Sequence, residues 1–389
     1  MKILHIINSS HVGGTERALA GLLEFSAAKG IDNYVITLLP PGPMDKEYVR
    51  SSREVFSLNL TRGSASLGGA IRAINKCRQI RPHLIVTWMY QADLLAAFLQ
   101  IATIGQIPVV WNLRTSATVD LVGRTSGVVR SLCAHLSKYV PSKIVCNSPA
   151  VQAAHTEIGY HCEKMLVIPN GYHLSVFKPN RGDRDSVRAE LGIPMSSRLV
   201  GMFARWDPAK DHESFLNAAA QVCGRHSDVH FLLCGEGTDL ARNEISKLPN
   251  ASECMDRFHV MGLRHDMARL HASLDIGVLM SKMNEGFPNA VAESMASGVP
   301  CIVSDTGGAA YVVGSAGRVV PKGDVDSLVR EMNQLLSLSS GQLRAMGNEA
   351  RTRIASSFDM NEVAGRHLRL WQSLCGCHAE AGEERSRAA

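Results

Sequence analysis

Residues 276–303 read IGVLMSKMNEGFPNAVAESMASGVPCIV, and this stretch has the pattern of a strand, a helix and a second strand. The apolar run Ile276–Leu279 predicts the first strand. Pro288 stands where a helix would begin, since proline is tolerated in a first helical turn. Gly298 would end that helix, and Cys301–Val303 predicts the second strand. A helix that joins two parallel strands is the building unit of an α/β sheet.

The same alternation of short apolar runs and helical stretches continues along the chain, which predicts parallel sheets covered on both faces. The strands predicted in the first half are Lys2–Ile7, Tyr34–Leu39, Val55–Leu58, Leu84–Thr87, Val109–Trp111, Lys143–Cys146 and Met165–Ile168. Those predicted in the second half, besides the two above, are Leu199–Phe203, His230–Leu233, Phe258–Val260 and Arg318–Val320. The loop-rich segment 170–197 is interpreted as a linker between two doubly wound domains.

The length of 389 residues also favours two domains, because single cores rarely grow that large. We expect an N-terminal Rossmann-like domain over residues 1–172 and a C-terminal one over residues 173–360. Residues 361–389 would form a last helix and a tail. That helix has an apolar face, and one place to bury it is back against the first domain. Ligands of such sheets bind at the carboxyl ends of the strands, so a cleft between the domains is the expected site.

Composition and targeting signals are typical of a cytoplasmic protein. Ten cysteines lack paired spacing, which favours buried reduced thiols. Cys375, Cys377 and His378 have no second cluster to complete a metal site. The start of the chain has no secretory signal. Residues 94–113 carry no charge and have the length of a membrane span, but Gly105 and Pro108 would divide them into a helix and a strand.

The positive charge is concentrated in the first half of the chain. Residues 1–172 contain 17 Lys and Arg against 10 acids, whereas the remainder contains 24 against 26. Seven bases lie within residues 50–81, where Glu54 is the single acid: Arg50, Arg53, Arg62, Arg72, Lys76, Arg78 and Arg81. This favours peripheral contact with an anionic membrane, at its inner face, although a solvated helix face explains the pattern equally well. Nucleic acid is disfavoured, because aromatics make up only 5% of the chain.

The first candidate ligand motif follows the first strand, at residues 8–17. Gly13 and Gly14 would let a ligand approach the backbone, and Thr15 could cap a helix whose N-terminus favours anions. A tight turn between strand and helix explains these residues as well. The motif is not GxGxxG, which argues against a dinucleotide-dependent oxidoreductase.

The second motif follows the first strand of the second half. Arg205 and Lys210 lie beyond the strand end, where two cations could clamp a diphosphate. Alternatively, Arg205 and Lys210 are ordinary surface bases without a ligand.

The third motif lies within residues 276–303, on the loop after the first strand and in the helix that follows. The N–H groups of Phe287, Asn289 and Ala290 would face an anion at the start of the helix. Glu293 lies more than a turn inside that helix, where its carboxylate either faces water or accepts hydrogen bonds from a diol such as a ribose. Glu285 and Gly286 are on the loop, where Glu285 could reach a sugar.

Two glutamates with seven residues between them, inside EGFPNAVAESMASGVPCIVSDTGG (285–308), resemble the signature of the retaining family-4 glycosyltransferases of the GT-B fold. The segments GGTER, IPNGYHLSVFKP, CGEGTDL and GLRHDM extend the resemblance over almost the whole chain. It is strongest to bacterial members that assemble polysaccharides and lipid-linked glycans. The resemblance implies a metal-independent hexosyltransferase with a nucleotide-sugar donor, a glycan or lipid-linked acceptor, and no cofactor. The D-x-D pairs Asp183/Asp185 and Asp324/Asp326 would then be coincidental.

The resemblance also assigns roles to particular residues. Arg205 and Lys210 would neutralise the diphosphate, and Glu285 would contact the transferred sugar; these three form the predicted catalytic set. For donor binding, Glu293 would bind the ribose hydroxyls, and Gly14, beside Gly13, would let the phosphate approach the backbone. The loop around Gly262 and Arg264 would read the base. Gly286, Phe287, Asn289 and Ala290 complete the predicted donor site.

One departure concerns the acceptor side, for which Gln91, Asp93, Arg114 and Thr115 are the candidates. Members of the family commonly have a His after the strand Val109–Trp111, whereas this chain has Thr115, and Gln91 replaces a second His. Either the His is dispensable, or the chain is a catalytically silent nucleotide-sugar-binding partner. A nucleotide-sugar epimerase, which shares the GT-B architecture, is a separate alternative.

Overall fold

A computed structural model describes residues 1–61, 66–103, 105–116, 124–248, 254–283 and 285–376. The chain divides into two compact units, each built around one parallel sheet. The first unit comprises residues 1–147, 152–171 and 361–389, and the second comprises residues 148–151 and 172–360. The predicted α/β fold with two doubly wound sheets is thus confirmed.

The first unit has a seven-stranded sheet in the order β3-β2-β1-β4-β5-β6-β7. Its strands are β1 Lys2–Ile7, β2 Asp32–Thr37, β3 Glu54–Ser57, β4 Leu84–Trp88, β5 Val109–Leu113, β6 Lys143–Cys146 and β7 Met165–Val167. The helices between them are α1 Gly14–Ala28, α2 Asp45–Arg50, α3 Leu67–Ile80, α4 Tyr90–Ala102, α5 Arg124–Leu136 and α6 Pro149–Glu157. All pairings are parallel, and the central strands are buried throughout.

The second unit has a six-stranded sheet in the order β10-β9-β8-β11-β12-β13. Its strands are β8 Arg198–Phe203, β9 Val229–Cys234, β10 Phe258–Val260, β11 Ile276–Leu279, β12 Cys301–Ser304 and β13 Arg318–Val320. Its helices are α7 Arg181–Leu191, α8 His212–Cys223, α9 Ala241–Ile245, α10 Met267–Ser273, α11 Asn289–Ala296, α12 Ala309–Val313, α13 Val325–Leu336 and α14 Ser340–Ser357. A final helix, α15 Met360–Leu374, follows.

In both sheets the strand order reverses beside the first strand of the unit. The reversal lies between β1 and β4 in the first sheet and between β8 and β11 in the second. At such a point the loops leaving the two neighbouring strands diverge to opposite faces, which opens a crevice at the carboxyl edge. The two reversal points therefore locate the candidate sites.

The helix α15 packs on the first unit. Its Trp371 and His367 are fully buried, and the Trp371 ring lies edge-on to His5 of β1 at 5.6 Å between centroids. Arg366 donates to the carbonyl of Val167 at 2.5 Å. The apolar face of the last helix is thus buried against β1 and the end of β7.

Two predictions about local structure were wrong. The expected linker contains α7, which Asn180 caps at its start and Gly192 ends with a φ of +67°. The polar composition of this segment did not indicate a helix. Arg188 anchors the helix through a buried ion pair with Asp275 at 2.6 Å. Thr15 does not cap α1, because the helix already begins at Gly14, with Gly13 at the cap position.

The uncharged stretch 94–113 is divided between α4 and β5, as predicted. Among the described residues, no helix combines the length and apolar character needed to cross a bilayer. Of the D-x-D pairs, Asp324 caps α13 by accepting from the Ser327 N–H at 2.9 Å. Asp185 pairs with Arg181 on α7 at 3.7 Å. Cys377 and His378 lie outside the described residues.

The seven bases of residues 50–81 do not form one surface. Arg50 ends α2, which packs with α1, whereas Arg72, Lys76 and Arg78 lie on α3, which packs with α4. Right-handed connections place these two pairs of helices on opposite faces of the sheet. Arg53 is neutralised by Asp32 and Lys76 by Glu54. Arg62 lies outside the described residues. The seven bases therefore do not act as one patch, and the predicted contact with an anionic membrane stays a prediction.

Candidate functional site

The carboxyl edge of the second sheet brings together the loops that follow β8, β9, β10, β11 and β12. Arg205 and Lys210 follow β8, and Glu285 follows β11, so they flank the point where the strand order reverses. Gly262 follows β10. The structure thus places the second-half candidates on one edge of one sheet.

Lys210 and Glu285 form an ion pair across the reversal point. The Ser281 hydroxyl donates to the same carboxylate oxygen, Oε1, at 2.7 Å. The Glu285 side chain is 5% exposed and that of Lys210 is 20% exposed. Because a charge this deeply buried is costly without its partner, the pair fixes both side chains in position.

Short local contacts hold the Lys210 loop. Asp207 accepts from the Ala209 N–H at 2.9 Å and caps a single 3₁₀ turn that ends at Lys210. Lys282 donates its N–H to the Ala209 carbonyl at 2.8 Å and pairs with Asp211 at 3.0 Å. The loops after β8 and β11 are therefore bonded to each other through both backbone and side chains.

Arg205 presents an exposed cation beside this pair. Its side chain is 65% exposed and contacts Asp207 at 3.0 Å. The Arg205 carbonyl lies 3.0 Å from Nε2 of His212, whose ring stacks on Trp206. Burial lowers the pKa of His212 to about 4, so that ring is neutral at pH 7. A neutral, fixed imidazole thus holds the backbone that carries the cation.

The N-terminus of α11 lies just beyond Glu285. Its cap residue, Pro288, makes no side-chain hydrogen bond to the first turn. The Tyr172 hydroxyl donates to Asn289 Oδ1 at 2.5 Å, and the Phe287 ring packs against Tyr172 and Phe358. The start of a helix carries the positive end of the helix dipole, so a rigidly held helix start favours an anion there.

A pair of glycines that the sequence analysis did not assign supports this loop. A Cβ at Gly307 would lie 1.9 Å from the Glu285 carbonyl oxygen, and one at Gly308 would lie 2.2 Å from that of Gly286. Gly308 also donates its N–H to the Glu285 carbonyl at 2.7 Å. In the sequence these two glycines come three and four residues after the end of β12, and the loop they contact lies 22 residues earlier.

Glu293 is buried on α11 and does not face open water. Its Oε2 lies 3.1 Å from Nε2 of His271, whose Nδ1 lies 2.7 Å from the Ser294 hydroxyl. The His271 ring is edge-on to Phe203 at 4.8 Å. His271 therefore orients the carboxylate, a role that no local pattern in the sequence indicated.

In the loop after β10, the Arg264 side chain is bonded within the protein. Arg264 donates to Asp266 at 2.8 and 2.7 Å and to Glu190 at 2.9 Å. These bonds hold the pKa of Asp266 well below its usual range. Gly262, at a φ of +62°, accepts the Gly235 N–H at 2.8 Å. The Arg264 guanidinium is thus engaged within the protein, and the base-reading role of this loop's backbone stays a prediction.

The reversal point of the first sheet has a different character. Asn8, after β1, donates to Gln91, on α4, at 2.7 Å. The Ser9 hydroxyl donates to Glu16 at 2.9 Å, and burial raises the pKa of that carboxyl. A Cβ at Gly13 would lie 2.4 Å from Glu16 Oε2. Beside Gly13 and Gly14, the start of α1 is thus occupied by a carboxyl group of its own helix.

The predicted role of Asp93 requires correction. Its side chain is fully buried and accepts from the Thr87 hydroxyl of β4. Burial raises its pKa well above the usual value. The carboxyl group therefore lies in the core of the first unit, where it is not accessible to an acceptor.

Arg114 and Thr115 follow β5. Arg114 is 8% exposed, lies over the Trp88 ring at 4.8 Å and donates to Asn170 at 2.5 Å. Thr115 is half-buried, with its hydroxyl 3.4 Å from the Ser116 carbonyl. Of the acceptor-side candidates, Gln91 and Thr115 are thus the accessible ones, and both are neutral.

Known families and structures match this architecture. A family model described as Glycosyltransferase Family 4 matches residues 12–176, and one described as Glycosyl transferases group 1 matches residues 197–338. The structure of Anabaena Alr3699/HepE in complex with UDP and glucose superposes with a TM-score of 0.82 at 21% identity, over 96% of this chain and all of that one.

Two curated relatives match over shorter spans. The putative glycosyltransferase EpsF of Bacillus subtilis (strain 168) is 30% identical over 144 residues, 37% of either chain. The UDP-Gal:alpha-D-GlcNAc-diphosphoundecaprenol alpha-1,3-galactosyltransferase of Escherichia coli is 29% identical over 205 residues, 51% of either chain. The chain thus spans less than two thirds of these relatives. With both family models matched in order and both sheets of the fold in place, the chain belongs to the family-4 glycosyltransferases of the GT-B fold.

Proposed function

We propose that this chain transfers a sugar, with retention of configuration, from a nucleotide-sugar donor to a glycan or lipid-linked glycan acceptor in cell-surface polysaccharide synthesis. The observation that carries the proposal is the set of groups at the reversal point of the second sheet. An exposed Arg205, the Lys210–Glu285 pair and the start of α11 lie in the loops that follow β8 and β11. These groups suit a diphosphate that gains charge as it leaves.

In the proposed reaction the bond between the sugar C1 and the diphosphate oxygen breaks, and a bond from C1 to the acceptor oxygen forms. The acceptor's hydroxyl proton passes to the leaving diphosphate. Lys210 and Arg205 stabilise the charge that develops, together with the first N–H groups of α11. Transfer of Lys210 from Glu285 toward the diphosphate would leave the Glu285 carboxylate facing the sugar. No metal or cofactor enters these steps.

Glu293 is proposed to bind the ribose of the donor. Its carboxylate is already oriented by His271, so little rotational freedom is lost when a diol binds. The backbone around Gly262 and Arg264 would read the base. Glu293→Gln should weaken nucleotide binding while a His271→Asn variant weakens it less, because His271 acts only through Glu293.

Turnover with a panel of nucleotide sugars tests the proposal. The purified chain is incubated with each donor and a lipid-linked glycan acceptor, and release of nucleoside diphosphate and glycosylation of the acceptor are both measured. We expect acceptor-dependent release that falls at least about a hundredfold in Glu285→Gln. Glu349→Gln changes an exposed glutamate on α14 and serves as the matched control. Unchanged transfer in Glu285→Gln would remove Glu285 from the mechanism.

A second candidate function is a nucleotide-sugar-binding partner without turnover. The neutral Gln91 and Thr115, which stand where related enzymes commonly have histidines, favour this alternative. It predicts donor binding with neither release of nucleoside diphosphate nor acceptor modification, so the same assay separates the two. Donor converted without any acceptor would instead indicate an epimerase.

A further inference from the structure

Three side chains of the second unit form a hydrogen-bonded triad: Ser294, His271 and Glu293. Nε2 of the His271 ring lies 3.1 Å from Oε2 of Glu293, and Nδ1 of the same ring lies 2.7 Å from the Ser294 hydroxyl. Glu293 and Ser294 are neighbours on α11, whereas His271 lies on α10, which packs against α11. One imidazole therefore links a hydroxyl and a carboxylate of the adjacent helix through its two ring nitrogens.

The His271 ring is held in one orientation. It is fully buried and lies edge-on to two phenylalanine rings, with centroid distances of 4.8 Å to Phe203 and 5.9 Å to Phe177. Because protein interiors are close-packed, a ring enclosed in this way keeps its orientation. The two nitrogens thus keep their separate partners.

The bond to the carboxylate decides where the imidazole proton lies. An ionised carboxylate only accepts hydrogen bonds, so Nε2 of His271 carries the proton that it shares with Glu293. Nδ1 of the neutral ring is then an acceptor, and the Ser294 hydroxyl donates to it. Replacing Ser294 by alanine would remove this donor from a buried acceptor, which weakens the preference for the tautomer that faces Glu293.

A serine, a histidine and an acid in a row also occur in hydrolases, where the serine attacks the substrate. Here Ser294 is only 4% exposed. It borders a small cavity lined also by Gly277, Val291 and Cys301, which is too small for a substrate. Ser294 can therefore act on a ligand only through His271 and Glu293.

We propose that the triad makes the site selective for ribonucleotide donors over 2′-deoxyribonucleotide donors, with Ser294 as a positioning residue. The inference rests on the proposed function, in which Glu293 binds the ribose. A ribose offers two adjacent hydroxyls, and a carboxylate held in one orientation can accept from both. A 2′-deoxyribose lacks one of them and so loses a hydrogen bond to a buried, charged acceptor, a loss that discriminates strongly between ligands.

The inference narrows the class of donor. Sugars are activated both by ribonucleotides, such as UDP and GDP, and by 2′-deoxyribonucleotides, such as dTDP. The site accepts the first group and discriminates against the second, whichever base the loop around Gly262 reads.

Calorimetric titration of the full chain with matched nucleotide pairs tests the proposal. UDP is compared with dUDP, GDP with dGDP, ADP with dADP and CDP with dCDP. Each pair shares its base and its diphosphate and differs only in the 2′ hydroxyl. For the base that binds best, we expect the ribonucleotide to bind at least about tenfold more tightly than its 2′-deoxy counterpart.

Variants of Ser294 test the positioning role. Ser294→Ala should weaken ribonucleotide binding about fivefold and leave 2′-deoxyribonucleotide binding within about twofold, so the ratio of the two dissociation constants falls. Ser294→Thr keeps the hydroxyl, and the adjoining cavity has room for its methyl group, so the ratio should recover. Ser297→Ala is the matched control and should leave the ratio unchanged. Its buried hydroxyl donates to the backbone carbonyl of Glu293 at 2.9 Å and not to the His271 ring.

A double-mutant cycle tests whether Ser294 acts through His271. In a His271→Asn background, Ser294→Ala should change the ratio by less than about twofold, because the ring that transmits its effect has been removed. Independent, additive effects of the two changes would contradict the positioning role.

Two results would overturn the proposal and leave the proposed function intact. The wild type could bind both members of a pair equally, or Ser294→Ala could weaken both members equally. Binding of no nucleotide at all would contradict the proposed function, and this inference with it. The comparison of paired nucleotides on the wild type needs no variant, so it decides the selectivity even if a variant misfolds.

Discussion

The two sheets reverse their strand order in the same way, yet the chemistry at the two reversal points differs. The second sheet has Arg205, Lys210 and Glu285 at its reversal point, beside the start of α11. The first sheet has Asn8 hydrogen-bonded to Gln91, and its helix start is occupied by Glu16. The strand order therefore gives two comparable reversal points, and we infer from the side chains that the second is the one that binds a diphosphate.

The difference suggests a division of labour. Cations and helix N–H groups bind a charged leaving group, whereas neutral amides and hydroxyls bind the hydroxyl groups of a sugar or glycan. We therefore expect variants at the second edge to affect donor binding and variants at the first edge to affect the acceptor.

The largest effect is expected at Lys210. Lys210→Met leaves the buried Glu285 carboxylate without its cation, which costs about 3–5 kcal/mol in unfolding free energy. It also removes a charge that stabilises the leaving diphosphate, so kcat should fall about 10²–10³-fold. Urea denaturation and steady-state kinetics measure the two effects. Lys247→Met, at an exposed ion pair on the same unit, should change neither by more than a small amount.

The variant Gly307→Ala tests whether the close contact between the loops at the carboxyl edge of the second sheet matters. In Gly307→Ala the new Cβ meets the Glu285 carbonyl at 1.9 Å and the residue keeps a φ of +56°. We expect about 3 kcal/mol of destabilisation and loss of donor affinity. Gly323→Ala is the matched control, since its φ is +73° but no atom lies within 4 Å of the new Cβ.

The control should therefore show only the backbone cost of about 1–2 kcal/mol, with donor affinity unchanged. Equal losses in the two variants would mean that the close contact between the two loops is unimportant.

Acid should destabilise the second unit through His212. Its pKa in the folded chain is about 4, against an ordinary value of 6.5. The unfolded chain therefore binds a proton that the folded chain excludes, and stability falls as the pH drops from about 6.5 to about 4. The expected loss is on the order of 3 kcal/mol. His212→Gln should flatten this part of the pH profile of unfolding, and an unaltered slope would contradict the assignment.

The smallest effect is expected at the first edge. Asn8→Ala and Gln91→Ala each remove one neutral hydrogen bond, worth about 1 kcal/mol. The acceptor KM should rise about fivefold while donor affinity stays within about twofold. A larger change in donor affinity than in acceptor KM would contradict the division of labour.

The sequence predicts the parts of this molecule that depend on local patterns. The strand–helix–strand unit of residues 276–303 is visible because its apolar runs, Pro288 and Gly298 are neighbours in the chain. The Lys210–Glu285 pair joins residues 75 apart, and only the strand order brings them together. The contacts of His271 with Glu293 and of Gly307 with Glu285 also join residues that are distant in sequence, so no local pattern predicts them.

At two places, residues that are close in sequence do not share a surface. The seven bases of residues 50–81 seem to form one patch, but the connection past β1 sends α2 and α3 to opposite faces of the sheet. Asp93 seems to share a surface with Gln91, two residues earlier. On a helix, however, residues two apart point in different directions, and Asp93 turns inward to Thr87.

We infer that the second reversal point binds a nucleoside diphosphate and that the first does not. Calorimetric titration with UDP, GDP and ADP tests it on the wild type, on Arg205→Gln/Lys210→Met and on Asn8→Ala/Gln91→Ala. We predict micromolar binding of at least one nucleotide. That affinity should fall at least a hundredfold in the first double variant and stay within about threefold in the second. Full affinity in Arg205→Gln/Lys210→Met, or loss confined to Asn8→Ala/Gln91→Ala, would contradict the account.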